Sequence, residues 1–181
     1  EGETAFDAIL LQLEIPLETV YHAISSAAAR DIPVILDAGP PRKLPLEKLR
    51  GVTILSPNES ETETLTGICP RDQDSASQAA ALLQESTGAE EVVLKLGDRV
   101  ALFRETGTYT FIDAHEVEVI YTTAAGDSFT AALALEYCRG AGIRRSTERA
   151  IAAGALAVTR LGAQPSLPTC EEVDRLEAAR G

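Results

Sequence analysis

Tyr121-Thr122-Thr123-Ala124-Ala125-Gly126-Asp127 joins an extended, β-branched run, Val117 to Thr123, to a helical pattern expected to start at Ser128. Ala124, Ala125 and Gly126 carry almost no side chain, so backbone N–H groups in this turn can come close to an anion. A helix behind the turn adds partial positive charge at its N-terminus. Asp127 stands beside that cradle. A carboxylate next to a phosphate-sized recess suits a base that accepts a hydroxyl proton while backbone donors hold a transferring phosphoryl group. The same aspartate suits a plain N-cap, where Asp is a favoured residue. The heptapeptide alone leaves both readings open.

Working outward, strand patterns alternate with helical ones. Ala8 to Leu13 is an apolar run fit for a buried parallel strand, and Pro16 opens a helix whose face continues through Val20, Ile24 and Ala27 to about Arg30. Pro33 to Leu36 and Val52 to Leu55 read as strands, with a short helical turn over Leu44 to Leu49 between them. Helices are predicted over Asn58 to Leu65 and Ser75 to Gln84, then a strand over Val92 to Leu96. Val100 to Phe103 and Tyr109 to Ile112 flank Gly107 as an antiparallel pair at a sheet edge. Ser128 to Arg139, Thr147 to Arg160 and Glu171 to Ala179 close the chain as helices. The expectation is one α/β domain over residues 1–181, with a mostly parallel sheet and helices on both faces. In such sheets ligands bind beyond the C-terminal ends of the strands. Gln12-Leu-Glu14, Asp37-Ala-Gly39, Asn58 to Glu61, Lys95-Leu-Gly97 and Ala124 to Asp127 each follow a predicted strand end. Five polar or glycine-bearing turns on one rim are the layout of a nucleotide-dependent enzyme.

Composition narrows the partners. At 181 residues, 45% hydrophobic and 24% charged, the chain is an ordinary globular length and mixture. A formal charge of −12 argues against nucleic acid or an anionic membrane as partner, because both need a basic surface. It is compatible with ATP, which a local positive site and Mg²⁺ can hold. No apolar run approaches the ~20 residues of a membrane span. Glu1-Gly-Glu-Thr4 shows neither the basic nor the apolar region of a secretory signal. Cys69, Cys138 and Cys170 are odd in number and far apart, which fits free thiols in a reducing compartment better than a disulfide framework or zinc site. With His22 and His115 as the only histidines, a histidine-based triad or metal cluster is not expected. Met is absent, so a processed or partial polypeptide is expected. The cytosol is the default compartment, with an organelle left open.

Six motifs, in this order and spacing, resemble those of the ribokinase-like (PfkB-type) carbohydrate kinases. They are QLEIPLE (Gln12 to Glu18), SPNESE (Ser56 to Glu61), LTG (Leu65 to Gly67), KLGDR (Lys95 to Arg99), TTAAGDSF (Thr122 to Phe129) and TRLGAQPS (Thr159 to Ser166). The similarity runs from Phe6 to Leu176. It implies a three-layer α/β/α fold that is N-terminally incomplete. The family's earlier part supplies the first strands, most sugar contacts with a glycine doublet, and a small β lid that usually mediates dimerisation. No Gly-Gly pair occurs here. The implied activity is transfer of the ATP γ-phosphoryl group to a sugar, most suitably D-ribose to ribose 5-phosphate. Fructose, a sugar acid or a nucleoside as substrate stays open, as does a noncatalytic nucleotide-binding module.

The resemblance also implies residue roles. Asp127 matches the catalytic base, with Ala125, Gly126 and the Asp127 backbone as the anion hole in the turn that Ala124 opens. Asn58 and Glu61 match a motif that organises Mg²⁺ and the ATP phosphates, mainly through water; the same pair suits a capping box. Lys95, Leu96, Gly97, Asp98, Arg99 and Val100 match the loop along the ATP phosphates and ribose, with Val100 where a glycine is common. A plain strand end with solvated charges is the alternative there. Ile151 is expected to give the adenine an apolar wall. Glu14, at the end of a buried strand, matches a carboxylate that accepts hydrogen bonds from sugar hydroxyls; a solvent-exposed carboxylate is the alternative. A monovalent K⁺ site built largely from carbonyls maps onto Tyr121, Thr123, Ala157, Arg160, Gly162 and Ser166. Tyr121 replaces an Asp of the family, so weaker K⁺ activation is expected.

Overall fold

Ile9–Leu11 (β1), Val34–Asp37 (β2), Ile54–Ser56 (β3) and Glu91–Val92 (β4) lie side by side in that order, all parallel. This comes from a computed structural model, which describes residues 6–97, 100–105 and 108–179. Every residue of β2 and β3 is buried, which requires cover on both sheet faces. Parallel neighbours cannot be joined by a tight hairpin, so each connection carries a crossover. Leu17–Ala28 (α1) joins β1 to β2, a 3₁₀ turn over Leu46–Leu49 lies between β2 and β3, and Glu59–Thr66 (α2) with Gln73–Thr87 (α3) joins β3 to β4. The helices bury one face each. In α1 that face is Val20, Ile24 and Ala27, and in α3 it is Ala76, Ala79, Ala80 and Leu83.

The register decides where the strands stop. Leu36 pairs with Leu55 and Asp37 with Ser56. On the other side of β3 the Glu91 amide donates to the Thr53 carbonyl (3.0 Å), Val93 to Leu55 (2.9 Å) and Lys95 to Pro57 (2.9 Å). Pro57 lacks an N–H but keeps its carbonyl, so it can end a ladder as an acceptor. Leu94–Leu96 (β5) thus prolongs β4 after a break at Val93, and it begins a second run of neighbours, β5, Val100–Glu105 (β6) and Thr108–Asp113 (β7).

The described residues fall into two compact units, one running to Gly97 with Leu102–Thr110, the other taking in the chain from Phe111 onwards. In the second unit Ala125–Cys138 (α4), Gly142–Ala157 (α5) and Cys170–Ala178 (α6) pack together. Ala152, Ala153 and Val173 are buried with Ala132, Leu156 and Leu176 against them. Arg149 ties the three helices, reaching Glu136 (3.1 Å), Asp174 (2.6 Å) and Glu177 (3.0 Å). Thr169 caps α6 in a reciprocal box with Glu172, and Arg160 grips the same carboxylate at 2.6 Å. The Arg160 guanidinium, then the Thr169 amide, pull the Glu172 carboxyl down to about 2.

The α/β class with a parallel sheet is as expected, and three details differ. Val117 to Thr123 forms no strand, because its β-branched residues find no ladder partner; the Ile120 and Tyr121 amides both donate to the Val158 carbonyl instead (2.8 and 3.1 Å). Helix α4 starts at Ala125 rather than Ser128, and α5 at Gly142 rather than Thr147. Strand β1 stops at Leu11, and as the outermost strand of its sheet it leaves Leu10 exposed. Cys69, Cys138 and Cys170 form no disulfide. No helix among the described residues is long and apolar enough to cross a membrane.

Two stability outcomes follow. Leu55→Ala opens a cavity at a fully buried position and is expected to cost about 2–5 kcal/mol in urea unfolding. Leu161→Ala, at a side chain 72% exposed, is expected to stay within about 0.5 kcal/mol. A lowered carboxyl stabilises the fold above the ordinary glutamate range and loses that contribution as pH falls towards about 2. Arg160→Ala is therefore expected to shrink the acid-side loss of stability measured by thermal melts between neutral and strongly acidic pH.

Candidate active site

In the first unit, Asp37 and Ser56 end β2 and β3, Lys95 lies in β5, and α2 starts three residues past β3. The Lys95 ammonium lies 2.6 Å from Asp37 Oδ1, with 15% and 6% of the two side chains exposed. Asn58 and Glu61 complete a capping box. Asn58 Oδ1 accepts the Glu61 amide (2.9 Å), Glu61 Oε2 accepts the Asn58 amide (2.7 Å), and Asn58 Nδ2 donates to Glu61 Oε1 (2.9 Å). The capping reading of this pair therefore holds as geometry. It leaves more to explain, because a cap at a helix start needs no burial and Glu61 is only 4% exposed. Burial pushes its carboxyl up from the ordinary range. The Asn58 amide and Lys95 pull the other way, and Asp37 and Glu59 add to the rise.

Two glycines shape this corner. A Cβ built on Gly39 would sit 2.9 Å from Glu61 Oε1, so the loop after β2 closes on the carboxylate only because residue 39 has no side chain. Gly97 has φ +67 and a Cβ there would meet Glu59 Oε1 at 3.1 Å. Ser56 Oγ and Thr62 Oγ1 are fully buried without a hydrogen-bond partner. Of the predicted loop, Leu96 is buried and Val100 begins β6, while Asp98 and Arg99 lie outside the described residues. Glu14 is exposed in a turn three residues past the end of β1, so the sequence-based picture of a carboxylate at a buried strand end does not hold. The strand stops short at Leu11, and Glu14 can keep its charge hydrated.

In the second unit, Ala124 has φ +65, left-handed backbone that costs an L-residue roughly 1–2 kcal/mol. It turns the chain sharply into α4, as the N-cap, with no side-chain cap. Asp127 is therefore the third residue of the helix, and the N-cap reading is excluded. Ala125, Gly126 and Asp127 occupy the first turn, where an amide has no carbonyl four residues back inside the helix, and the Ala125 amide donates to the Thr122 carbonyl (3.4 Å). The first helical bond is from the Ser128 amide to the Ala124 carbonyl (2.9 Å). Asp127 is exposed, and a carboxylate here also interacts favourably with the helix dipole. Gly154 of α5 packs under this turn, 3.5 Å from the Ala125 carbonyl measured from a built Cβ. Ile151 of α5 is itself buried, which leaves little of it to meet a base.

The residues mapped to a monovalent cation all lie in this unit. Tyr121 hangs on the Val158 carbonyl, one residue past Ala157, and the chain then passes Arg160 and Gly162 to Ser166. Gly162 has φ +104, and buried Ser166 donates its hydroxyl to the Ala163 carbonyl (2.7 Å). Thr123 is exposed, and Arg160 spends its side chain on Glu172. No group of three or more His, Cys, Asp or Glu side chains suited to a metal occurs among the described residues. A cation in either unit would thus rely on carbonyl oxygens, single carboxylates or water.

Sequence reasoning put the Asp37-Ala-Gly39 turn on the ligand rim and Ser56 in a motif but gave none of Asp37, Gly39 and Ser56 a role of its own. The Asp37–Lys95 pair joins residues 58 apart and is visible only once the strand register is known.

A family model described as pfkB family carbohydrate kinase matches residues 3–170. The chain is 35% identical over 166 residues to a ribokinase of Haemophilus influenzae, covering 92% of this chain and 54% of that protein. It is 33% identical to a deoxyribokinase of Salmonella typhi, covering 91% and 54%. Among solved structures, the ribokinase of Arabidopsis thaliana in complex with ribose and ATP superposes with a TM-score of 0.87 at 34% identity, covering 94% of this chain and 55% of that one. The chain thus spans about half the length of the relatives it matches, and the matches run through both units. Motifs, parallel sheet and structural likeness agree, and the chain belongs to the pfkB family of carbohydrate kinases.

Proposed function

We propose that this chain is the nucleotide-binding and catalytic portion of an ATP-dependent sugar kinase that phosphorylates D-ribose to ribose 5-phosphate. The observation that carries this reading is the convergence of Asn58, Glu61, Lys95 and Asp37 at the C-terminal edge of the parallel strands, where such sheets take their ligands. Family membership and the relatives' names, ribokinase and deoxyribokinase, support a pentose.

In this reading Asp127 receives the proton of the sugar hydroxyl as its oxygen bonds to the γ-phosphorus. The bond from that phosphorus to the β–γ bridging oxygen breaks, leaving ADP. The first-turn amides of Ala125, Gly126 and Asp127 hold the transferring group's oxygens, and their small side chains let it approach. Asn58 and Glu61 are the residues that would hold hydrated Mg²⁺ here. The hard oxygens of Glu61 and the unpartnered Ser56 hydroxyl suit that ion. When bound, Mg²⁺ neutralises charge on the β- and γ-phosphates. Lys95 to Val100 follow the phosphates and ribose, Ile151 backs the adenine, and Glu14 meets the sugar from its exposed turn. Tyr121, Thr123, Ala157, Arg160, Gly162 and Ser166 are the residues that would hold K⁺, largely through carbonyls and without the family's Asp. The intact kinase works in the cytosol as a homodimer through the family's lid segment.

Asp127→Asn in the intact kinase is expected to lower ADP release by on the order of 10³-fold or more while ATP binding persists. A coupled assay over ribose, 2-deoxyribose, fructose and nucleosides reads both the loss and the sugar; wild-type turnover by the variant contradicts the base assignment. Glu61→Gln separates cap from phosphate site, because the amide oxygen still accepts the Asn58 N–H. A raised carboxyl favours the fold most when protonated, and that contribution is lost as pH rises through its shifted value. The variant does not titrate, and its NH₂ replaces the oxygen that accepts from Asn58 Nδ2, so it is expected to lose less stability than wild type as pH rises from about 4 to about 7.5. Its Mg-ATP affinity by calorimetry should fall by about tenfold; unchanged affinity leaves Glu61 a cap only.

A further inference from the structure

Among the groups at the strand ends, the buried ion pair is the one that neither the motifs nor the capping box explains. Asp37 ends β2 and Lys95 lies in β5, with β3 between them. The ammonium must reach across the end of β3 to meet Oδ1 at 2.6 Å. Removing two charges from water is costly, and a structural tie could be made as well by apolar residues of similar volume. The pair also sits where an apolar contact would not serve, against the buried Glu61 carboxylate, under Gly39 and beside the unpartnered Ser56 hydroxyl. A built Cβ on Gly39 lies 3.9 Å from Asp37 Oδ1 and 2.9 Å from Glu61 Oε1, so one short loop touches both acids. A flexible lysine has rotamer entropy to lose before it serves as a fixed charge. An aspartate that holds it beforehand removes that loss from the binding step.

We infer that Asp37 is a positioning residue of the nucleotide site: it holds the Lys95 ammonium at the sheet edge, ready for the polyphosphate of a nucleoside triphosphate. This rests on the nucleotide-site reading given above. Asp37 itself touches no phosphate, since two anions would repel, and acts through Lys95. Its effect is confined to ligands that carry the polyphosphate.

The test is calorimetric titration of the chain with Mg-ATP and, separately, with adenosine. Asp37→Asn is expected to bind Mg-ATP about tenfold more weakly, with adenosine affinity unchanged. Lys95→Met is expected to do the same, and the double variant to be no weaker than either single one, because both changes remove one coupled unit. Asp37→Glu, which keeps the charge on a longer arm, should recover part of the loss. Lys95→Arg keeps both charges and preserves folding should Asp37→Asn not fold; it moves the head group and is expected to weaken Mg-ATP several-fold. Wild-type Mg-ATP affinity in Asp37→Asn or Lys95→Arg, an equal loss for adenosine, or additive losses in the double variant would overturn the inference while leaving the nucleotide site standing. Failure of the wild-type chain to bind either ligand removes the site and the inference together.

Discussion

The parallel hydrogen-bond ladder through β2, β3 and the β4–β5 run is the constraint on which the rest depends. Side-chain direction has a period of two along a strand, so a slip of one residue would turn every side chain to the opposite face. Because Leu36 lies opposite Leu55 and the Lys95 amide bonds to Pro57, Asp37, Ser56 and Lys95 reach one edge together. The apolar burial of Ile35, Leu36, Ile54 and Leu55 holds that register, and the polar corner inherits it. A polar corner of this kind is a by-product of core packing: hydrophobic residues choose the pairing, and the pairing places the charges.

The polar corner is expensive in its own right. Glu61 and Asp37 are buried acids close to each other, and one lysine offsets them in part. The Ser56 and Thr62 hydroxyls are left without partners, which a fold selected for stability alone would avoid. Ala124 adds a left-handed residue at the mouth of α4 in the other unit. The unpaired polar atoms of the first unit and the strained residue of the second each lie beside a turn that the proposed kinase chemistry would use, as expected where function competes with stability.

Much of this was legible in the sequence, for physical reasons. The apolar runs of β2 and β3 are too continuous for amphipathic elements, and Asn58 with Glu61 three residues on is a helix start by spacing alone. The motif order carried the family. What failed depended on partners distant in the chain. Val117 to Thr123 has strand composition, but the Val158 carbonyl takes two of its amides and no ladder forms. Glu14 looked like a buried carboxylate because β1 looked two residues longer; the strand ends at Leu11 and the turn is exposed. Ala-Ala-Gly reads as a turn and puts the start of α4 at Ser128, whereas the turn is Thr123 and Ala124 and the helix begins at Ala125. Asp37 and Lys95 could not be paired from sequence at all, since nothing local marks a contact between residues 58 apart.

The central claim is that the turns at the strand ends and the first turn of α4 take up a magnesium nucleotide. Backbone amide shifts of the isotope-labelled chain, followed by NMR as Mg-ATP is added, test it most directly. The account predicts that the largest changes fall on Asp37 to Gly39, Asn58 to Glu61, Lys95 to Gly97 and Ala125 to Asp127. Changes confined elsewhere, such as the shallow depression lined by Gln84, Glu90 and Tyr109, or none at saturating nucleotide, would contradict it.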